Sequence, residues 1–225
     1  MTAANRGWFV TGTDTGVGKT LVACALLRAL RARGIDAGAM KPIETGVGPG
    51  GPADAIALRV AAGERDPLAD VCPQSFALAA APAAAGAVDL AAIDAAWARL
   101  RARHDFLVAE GAGGLLVPIA AQFSIADLAA RLGLPLLVVA RAALGTINHT
   151  RLTLEAARAH GLRVAGVVIS HAGGALPDAD VANLALLRAE LGALLVGEIP
   201  PLAAGELPAP DALDLESLLE RSGAL

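Results

Sequence analysis

The sequence predicts an α/β protein with a doubly wound, mainly parallel sheet that is flanked by helices. Short continuous runs of valine, leucine and isoleucine recur along the chain, and longer amphipathic segments separate them. Continuous apolar runs are typical of parallel strands that are buried on both faces. Right-handed crossovers through the intervening helices then give a doubly wound sheet.

The expected strands and helices alternate from one end of the chain to the other. The runs that predict strands are 7–12, 36–41, 105–110, 134–140, 163–170 and 193–200. The segments that predict helices are 20–33, 53–62, 89–103, 124–132, 148–160, 179–191 and 211–221. Ser124 has the character of an N-cap for one of them. Residues 63–88 are rich in proline and alanine without clear periodicity, and predict an irregular or mobile connection.

Length and composition favour one cytoplasmic domain that spans residues 1–225. The net charge is −4, and no basic field suggests a nucleic acid or a membrane surface as partner. No apolar run reaches the roughly 18 residues that span a bilayer, and no signal-peptide pattern opens the chain. Cys24 and Cys72 lack metal-ligand spacing, so we expect two reduced, buried thiols.

The run GTDTGVGKT (12–20) lies between the first predicted strand and the first predicted helix, which is the setting of a P-loop. Its glycines let backbone N–H groups curl around phosphate oxygens, and the helix N-terminus adds positive potential. Lys19 would bridge phosphates, and Thr20 would offer its hydroxyl group to Mg²⁺. The residues predicted to bind the nucleotide here are Thr13, Asp14, Thr15, Gly16, Val17, Gly18, Lys19 and Thr20. The predicted nucleotide-binding residues of this run end at Thr20, because the next residue, Leu21, has no hydroxyl group to offer.

The spacing of this loop departs from the usual pattern. That pattern places a glycine five residues before Gly18, where this chain has Thr13, with Gly12 one residue earlier. A chance Gly-Lys-Thr is the alternative, but the flanking strand and helix argue against it. The chain also has only two lysines beside 16 arginines, so a lysine at this place is notable. We therefore predict a P-loop NTPase-type fold that binds a nucleoside triphosphate.

Two carboxylates are candidates for holding Mg²⁺ beside the phosphates. Glu110 ends a buried apolar strand, so it should face the crevice at the carboxyl ends of the strands, with a helix cap or a surface position as the alternative. Asp54 follows a Gly/Pro loop, and its spacing favours the N-cap of the next helix slightly over a metal ligand. One or two carboxylates beside phosphates is the usual protein coordination of Mg²⁺.

Lys41 lies in the run MKPIETG (40–46), at the end of the second predicted strand and so on the same edge of the sheet. A surface salt bridge is the ordinary explanation of a single lysine. Because Lys19 already serves the phosphates, a second ammonium group would best stabilise negative charge that develops on a carbamate, carboxylate or acyl phosphate. We therefore predict Lys41 and Lys19 as the catalytic residues.

Five runs resemble the dethiobiotin synthetase family, in the family's order and over nearly the whole chain. They are FVTGTDTGVGKT (9–20), KPIETG (41–46), VAEGAGGLLVP (108–118), LGTINHTRLTLEA (144–156) and LVGEIP (195–200). The resemblance implies a homodimer of seven-stranded P-loop subunits that use Mg²⁺, ATP, 7,8-diaminononanoate and CO₂ or bicarbonate. One amine forms a carbamate, the γ-phosphoryl group of ATP converts it to a carbamic–phosphoric anhydride, and the second amine closes the ureido ring of dethiobiotin.

The resemblance also implies a role for individual residues around the phosphates. Lys19 would bind β- and γ-phosphate oxygens and help hold the carbamate. Lys41 would contact the carbamate and the transferred phosphoryl group, and Thr45 would hydrogen-bond the substrate head. The implied ligands of Mg²⁺ are Thr20, Asp54 and Glu110.

Two further sites follow from the resemblance. The substrate's tail carboxylate would bind across the dimer interface at the helix start in LGTINHT, although an N-cap role for Asn148 fits the same pattern. The residues implied there are Gly145, Thr146 and Asn148. Many members read adenine with an asparagine where GVVISHAGG (166–174) has Ser170. The base pocket would be completed by Pro200, Pro201 and Leu202.

Three other functions fit the sequence less well. Partition and division-site ATPases share the fold but carry a signature lysine five residues before the P-loop lysine, where this chain has Asp14. Amidoligases that act on corrinoids usually have a longer chain with a glutaminase domain. A binding module without catalysis would have no need to keep both lysines, Thr20 and Glu110.

Overall fold

The computed structural model describes residues 6–171, 176–203, 206–209 and 211–222. Its strands are β1 (Gly7–Gly12), β2 (Ala37–Met40), β3 (Ile43–Thr45), β4 (Gln74–Phe76), β5 (Phe106–Gly114), β6 (Pro118–Ala120), β7 (Phe123–Ser124), β8 (Leu136–Arg141), β9 (Val164–Ser170) and β10 (Leu195–Ile199). Its α-helices are α1 (Lys19–Ala32), α2 (Ala53–Ala61), α3 (Leu68–Val71), α4 (Pro82–Ala85), α5 (Leu90–Arg101), α6 (Ile125–Leu132), α7 (Thr146–Ala159), α8 (Asp178–Leu191) and α9 (Leu215–Ser222).

The central sheet is parallel and has the strand order β10-β9-β8-β1-β5-β2. Because β1 lies in the middle and β5 and β2 follow on one side, the carboxyl ends of these three strands are neighbours. The order changes direction at β1, which is the point where open α/β sheets bind ligands. The predicted doubly wound α/β fold is confirmed.

Alternate residues of the sheet pack into two apolar layers, one on each face. In β1, Trp8 and Val10 belong to the layer that contains residues of α1, α2 and α9. Phe9 belongs to the opposite layer, which contains residues of α5, α6, α7 and α8. Burial on both faces explains why the strands appear in the sequence as unbroken apolar runs.

The central sheet has six strands within the described residues, so the expectation of seven was wrong. The chain leaves this sheet after Met40, because Lys41 and Pro42 interrupt the strand and Pro42 has no N–H for a sheet hydrogen bond. The next residues form β3, which pairs in parallel with β4 in a separate two-stranded sheet. This departure from the sheet places Lys41 at a bend above the strand ends.

The segment 63–88 is more regular than the sequence predicted. It contains α3, β4 and α4, and β4 holds β3 in register from Ile43↔Gln74 to Thr45↔Phe76. Each of these elements has only three or four residues, which is too short for a periodic pattern. The expectation of an irregular connection was therefore wrong.

Other predictions at the level of elements were confirmed. Ser124 caps α6 and forms a reciprocal capping box with Asp127. Cys24 and Cys72 are both free and buried. Residues 172–174 of the run GVVISHAGG lie outside the described residues. In the part of the chain that the structure describes, none of the helices has the length and apolar character needed to cross a membrane.

Candidate active site

The phosphate loop joins the end of β1 to the start of α1. Gly16 and Gly18 have φ angles of 71° and 93°, and Gly18 is the N-cap of α1. These left-handed conformations cost glycine nothing, and they turn backbone N–H groups toward the space in front of the helix. Thr13, Asp14 and Thr15 form the first half of the loop, and the buried Val17 anchors it in the core.

Gly12 accounts for the unusual spacing of the loop. A Cβ atom at this position would lie 2.7 Å from a methyl group of Val17 and 2.8 Å from the carbonyl oxygen of Asp14. The loop therefore folds back over Gly12, and it needs a glycine there. At Thr13 the backbone N–H donates to Val139 at 2.9 Å, so this residue continues the edge of the sheet.

Leu21 marks the limit of the nucleotide-binding run within α1. No threonine stands at position 21, and the half-buried side chain of Leu21 packs against the apolar layer that contains this helix. An apolar side chain used in the core offers no hydroxyl group to a phosphate or to a metal ion. The hydroxyl group in the first turn of α1 that reaches the site is that of Thr20, which contacts Glu110.

Lys19 points back into the phosphate loop. Its Nζ donates to the carbonyl oxygen of Asp14 at 3.0 Å, and the residue is 7% exposed. Burial lowers the pKa of Lys19 below its ordinary value, and the charge of Glu110 opposes this only in part. The loop thus holds a cation at its centre that gives up its proton more readily than a surface lysine does.

Lys41 forms a buried ion cluster with two carboxylates. Its Nζ lies 2.9 Å from Oδ2 of Asp54 and 2.5 Å from Oε1 of Glu110, and it donates to the carbonyl oxygen of Gly111 at 3.4 Å. Thr20 donates to the same Glu110 oxygen at 3.0 Å. Lys41 is 3% exposed, so the interpretation as a surface salt bridge was wrong.

The electrostatics of the cluster keep Lys41 charged. Burial alone would lower the pKa of Lys41, but the charges of Glu110 and Asp54 outweigh it and hold the pKa above its ordinary value. Burial likewise opposes ionisation of Asp54, and Lys41 overcomes this and lowers the pKa of the carboxyl group. The pKa of Lys19 is therefore lowered, whereas the pKa of Lys41 is raised.

Asp54 is not the N-cap of its helix, as its spacing had suggested. Pro52 occupies that position, Asp54 lies in the first turn of α2, and its carboxylate turns toward Lys41. A proline has no side-chain acceptor for the helix N–H groups, and Asp54 lies two residues beyond the cap position.

The residues Thr20, Asp54 and Glu110 fit a small oxygen-binding cation. Oε2 of the fully buried Glu110 has no hydrogen-bond partner among the described residues, although its neighbour Oε1 has two. A cavity of about 340 Å³ opens beside it and is lined by both lysines as well as by these three residues. A hydroxyl group and two carboxylates are donors that suit Mg²⁺ next to phosphates. Within the described residues, no group of three or more His, Cys, Asp or Glu side chains could hold a metal ion, so a cation at this place would depend on two carboxylates and the hydroxyl group of Thr20.

The residues predicted to bind the substrate lie in two places. Thr45 lines the cavity that holds Lys41. Gly145 is the N-cap of α7 with φ 89°, Thr146 is its first residue, and the exposed Asn148 follows within the helix, so Asn148 is not an N-cap. None of these three lines the cavity of Lys41 within this chain.

A second cleft, of about 420 Å³, separates the phosphate loop from α7. Residues 13–15 line one side, and His149 and Leu152 line the other. Leu116 and Leu152, which line the cleft, are 58% and 59% exposed, and Leu144, two residues before the start of α7, is 73% exposed. Exposed apolar side chains indicate a surface covered by another protein only where they form one contiguous patch.

The predicted base pocket lies at the carboxyl ends of β9 and β10, on the opposite side of β1 from β5 and β2. Ser170 is the last residue of β9, has no exposed surface, and its Oγ has no hydrogen-bond partner among the described residues. Pro200 and Pro201 follow β10 and are exposed. Leu202 is half-buried and packs against the apolar layer of α1.

One residue of the site escaped the sequence-based prediction. Glu44 lies in β3, lines the cavity of Lys41, and accepts hydrogen bonds from the backbone N–H groups of Asp54 and Ala55. Its position between Lys41 and Thr45 in the run KPIETG was the signal available. The long-range contact with α2 could not be read from that position.

The fold and the loop define this chain as a P-loop nucleoside triphosphate-binding protein of the α/β class. A putative plasmid partition protein from Borrelia burgdorferi B31, solved with AMPPNP bound, has a similar structure with a TM-score of 0.58. The two chains are 11% identical, and the match covers 97% of this chain and 98% of the other. At this identity the likeness shows the fold alone.

Sequence comparison narrows the class to one family. A family model described as an AAA domain matches residues 6–208. The ATP-dependent dethiobiotin synthetase BioD of Anaeromyxobacter dehalogenans strain 2CP-1 is 54% identical over 203 residues, which is 88% of each chain. The protein of the same name from Aromatoleum aromaticum is 41% identical over 210 residues, covering 89% of this chain and 93% of the relative. The chain therefore belongs to the dethiobiotin synthetase family.

Proposed function

We propose that this protein catalyses the ATP-dependent closure of the ureido ring of dethiobiotin from 7,8-diaminononanoate and CO₂, in biotin biosynthesis. The observation that carries the proposal is the buried cluster of Lys41, Asp54 and Glu110 beside the phosphate loop. The partition and division-site switches that share this fold carry their second lysine within the loop, where this chain has Asp14, whereas Lys41 lies outside the loop and is held between two carboxylates. Membership in the family supplies the substrates.

The phosphate loop would bind ATP with its terminal phosphate toward this cluster. Backbone N–H groups at Gly16 and Gly18, together with the start of α1, would face the phosphate oxygens. Lys19, now bonded to a carbonyl oxygen of its own loop, would exchange that partner for the β- and γ-phosphates. Its lowered pKa is compatible with this role, because phosphate oxygens would favour the charged form again.

Lys41 would act on the reacting group. One amine of the substrate takes up CO₂ and forms a carbamate, whose oxygen attacks the γ-phosphorus atom as ADP departs. The second amine then attacks the carbamoyl carbon and expels phosphate. Negative charge stays on small, crowded oxygens through these steps, and a compact ammonium group held in place by Glu110 and Asp54 would stabilise it. Thr45 would hydrogen-bond the head of the substrate from the same cavity.

Thr20, Asp54 and Glu110 would hold Mg²⁺. Bound there, Mg²⁺ would neutralise charge on the β- and γ-phosphates during transfer. The protein itself would preorganise the oxygen ligands before the metal ion binds. Lys41 bridges the two carboxylates, which would otherwise repel one another across the cavity.

A homodimer would complete the substrate site. Gly145, Thr146 and Asn148 are the residues proposed to hold the tail carboxylate at the N-terminus of α7, and they do not line the cavity of Lys41 in one chain. The exposed leucines at 116, 144 and 152 are a suitable surface for a second copy. Such a dimer would bring the start of α7 from one subunit to the cavity of the other. We also propose a cytoplasmic location, in keeping with soluble substrates and reduced thiols.

Release of phosphate tests the proposal. With saturating ATP and Mg²⁺, release should require both the diamine and bicarbonate, and it should stay near background when either is omitted. Release that does not depend on the diamine would contradict the proposal and favour a nucleotide switch.

A further inference from the structure

Glu44 binds the N-terminus of α2 from a different element of the structure. Its Oε1 accepts the N–H of Asp54 at 3.0 Å, and its Oε2 accepts the N–H of Ala55 at 2.9 Å. The residue is 7% exposed, so both hydrogen bonds are sheltered from water. Both oxygens of the Glu44 carboxylate therefore bind the N-terminus of α2.

This helix lacks a cap of its own. Pro52 stands at the N-cap, and no side chain next to it in sequence accepts the first N–H groups of the helix. Such groups have no partner inside a helix, and a negative charge beside them is stabilised by the helix dipole. Glu44, in β3, supplies both the acceptors and the charge.

The connection that leads to α2 is a glycine-rich turn held by backbone hydrogen bonds, in which Gly46 and Val47 donate to Leu78 and Phe76 and Gly51 donates to Gly48. Residues 46–51 include four glycines, and Gly46 and Gly51 have φ angles of 76° and 88°. These bonds tie the turn to the region of β4 and close it on itself, and they leave the N–H groups of Asp54 and Ala55 to Glu44. Glu44 sits on a strand whose register is held by pairing with Ser75 of β4.

We propose that Glu44 is a positioning residue that sets the distance of Asp54 from Lys41 and Glu110, and thereby the affinity of the site for Mg²⁺. The carboxylate of Asp54 reaches Lys41 at 2.9 Å, while the backbone of the same residue is held by Glu44. The side chain of Asp54 is therefore held by Lys41, and its backbone is held by Glu44. This inference rests on the proposed function, because that function assigns Asp54 to Mg²⁺.

Hydrogen exchange tests the structural half of the proposal without any reaction. Glu44→Gln keeps the size of the side chain, removes its charge and leaves one acceptor oxygen for two N–H groups. The amides of Asp54 and Ala55 should then exchange about tenfold faster in the protein without nucleotide. Glu64→Gln, the same change just after the C-terminal end of α2, should leave them unchanged. Unaltered exchange in Glu44→Gln, or faster exchange spread through β1 and β5, would overturn the proposal.

The dependence of turnover on Mg²⁺ tests the functional half. In Glu44→Gln the Mg²⁺ concentration for half-maximal rate should rise about tenfold, with KM for the diamine unchanged and with kcat restored by excess Mg²⁺. In an Asp54→Asn background the same change should add nothing, because its effect passes through Asp54. A higher KM for the diamine with unchanged Mg²⁺ dependence would instead make Glu44 a substrate ligand and overturn the proposal. If the wild-type protein lacks the proposed activity, the exchange result still stands.

Discussion

The ammonium group of Lys41 lies 2.5 Å from Oε1 of Glu110, and neither residue is more than 3% exposed. The sheet creates this contact, because Met40 in β2 pairs with Ala109 in β5 and the next residue of each chain segment stands at the same level. Two positions far apart in sequence thus become one desolvated ion pair at the edge of the phosphate loop. The contribution of this ion pair to stability and the role of Lys41 in catalysis can each be measured.

Lys41→Ala should separate catalysis from nucleotide binding. We expect kcat to fall by about 10²–10³-fold, since one preorganised cation is lost from the transferring group. The Kd for ATP should change by less than about threefold, because the loop and Lys19 remain. Calorimetric titration with ATP and steady-state kinetics measure the two quantities.

Lys19→Ala is the matched control for that division of roles. This substitution should weaken ATP binding strongly, because Lys19 is the cation that faces the phosphates in the loop. If the two alanine variants lost equal affinity for ATP, the separate roles of the lysines would be wrong.

Removing only the cation of the Lys41–Glu110 ion pair should lower the free energy of unfolding. Lys41→Met leaves the carboxylate of Glu110 buried without its cation, and such a loss typically costs about 3–5 kcal/mol. The double variant Lys41→Met/Glu110→Gln removes both charges and should recover most of that free energy of unfolding without recovering activity. Denaturant unfolding of the three proteins measures this. A double variant no more stable than the single one would contradict the account.

Much of the architecture could be predicted because parallel strands and amphipathic helices leave strong patterns. All six central strands were expected within a few residues of their observed bounds, since the five from β2 to β9 across the sheet are largely buried on both faces and the edge strand β10 keeps Val196 and Ile199 in the core. The phosphate loop was found despite its spacing, because Lys19 and Thr20 stand directly at the start of a helix. Glu110 and Lys41 were placed on one edge by the rule that ligands bind at the carboxyl ends of strands.

The remainder depended on contacts that no local pattern records. The β3–β4 pair joins segments of three residues each, which is too little for periodicity to detect. Asp54 looked like an N-cap because the sequence cannot show that Glu44, ten residues earlier, accepts the N–H groups of α2. In each case the deciding interaction links separate elements.

Ser170 should leave the protein less selective for adenine than relatives with asparagine at this place. Its Oγ is buried without a partner among the described residues, and a hydroxyl group is too short to match the two-sided hydrogen bonding of an amide. Competition of GTP and CTP against labelled ATP should show selectivity below about tenfold. A strong preference for ATP that survives in every Ser170 variant would count against this interpretation of the base pocket.

Binding of ATP should decline at alkaline pH earlier than a normal lysine would cause. Burial lowers the pKa of Lys19 in the free protein, so affinity is full below that pKa and is lost as pH rises through it, starting below the ordinary value of about 10.4. Lys41 does not share this behaviour, because its pKa is raised. Lys19→Arg should bind ATP more weakly but without the alkaline decline. An identical decline in that variant would show that another group is responsible.

Mixed dimers test whether each active site is shared between subunits. Lys41→Ala and a variant with Thr146→Val and Asn148→Ala should each be inactive alone. Equal mixing after subunit exchange should restore about a quarter of wild-type activity, because half of the dimers are mixed and each holds one intact site of two. No recovery under conditions where exchange is demonstrated would mean that each subunit works alone.

The most direct test of the central claim is the product itself. The protein is mixed with 7,8-diaminononanoate, isotopically labelled bicarbonate, Mg²⁺ and ATP, with Lys41→Ala as the matched control, and the products are identified by mass. The account predicts dethiobiotin that carries the isotope in its new ring, formed with one ADP per ring and at least about a hundredfold more slowly in the control. ADP formation by the wild-type protein without labelled dethiobiotin would contradict it.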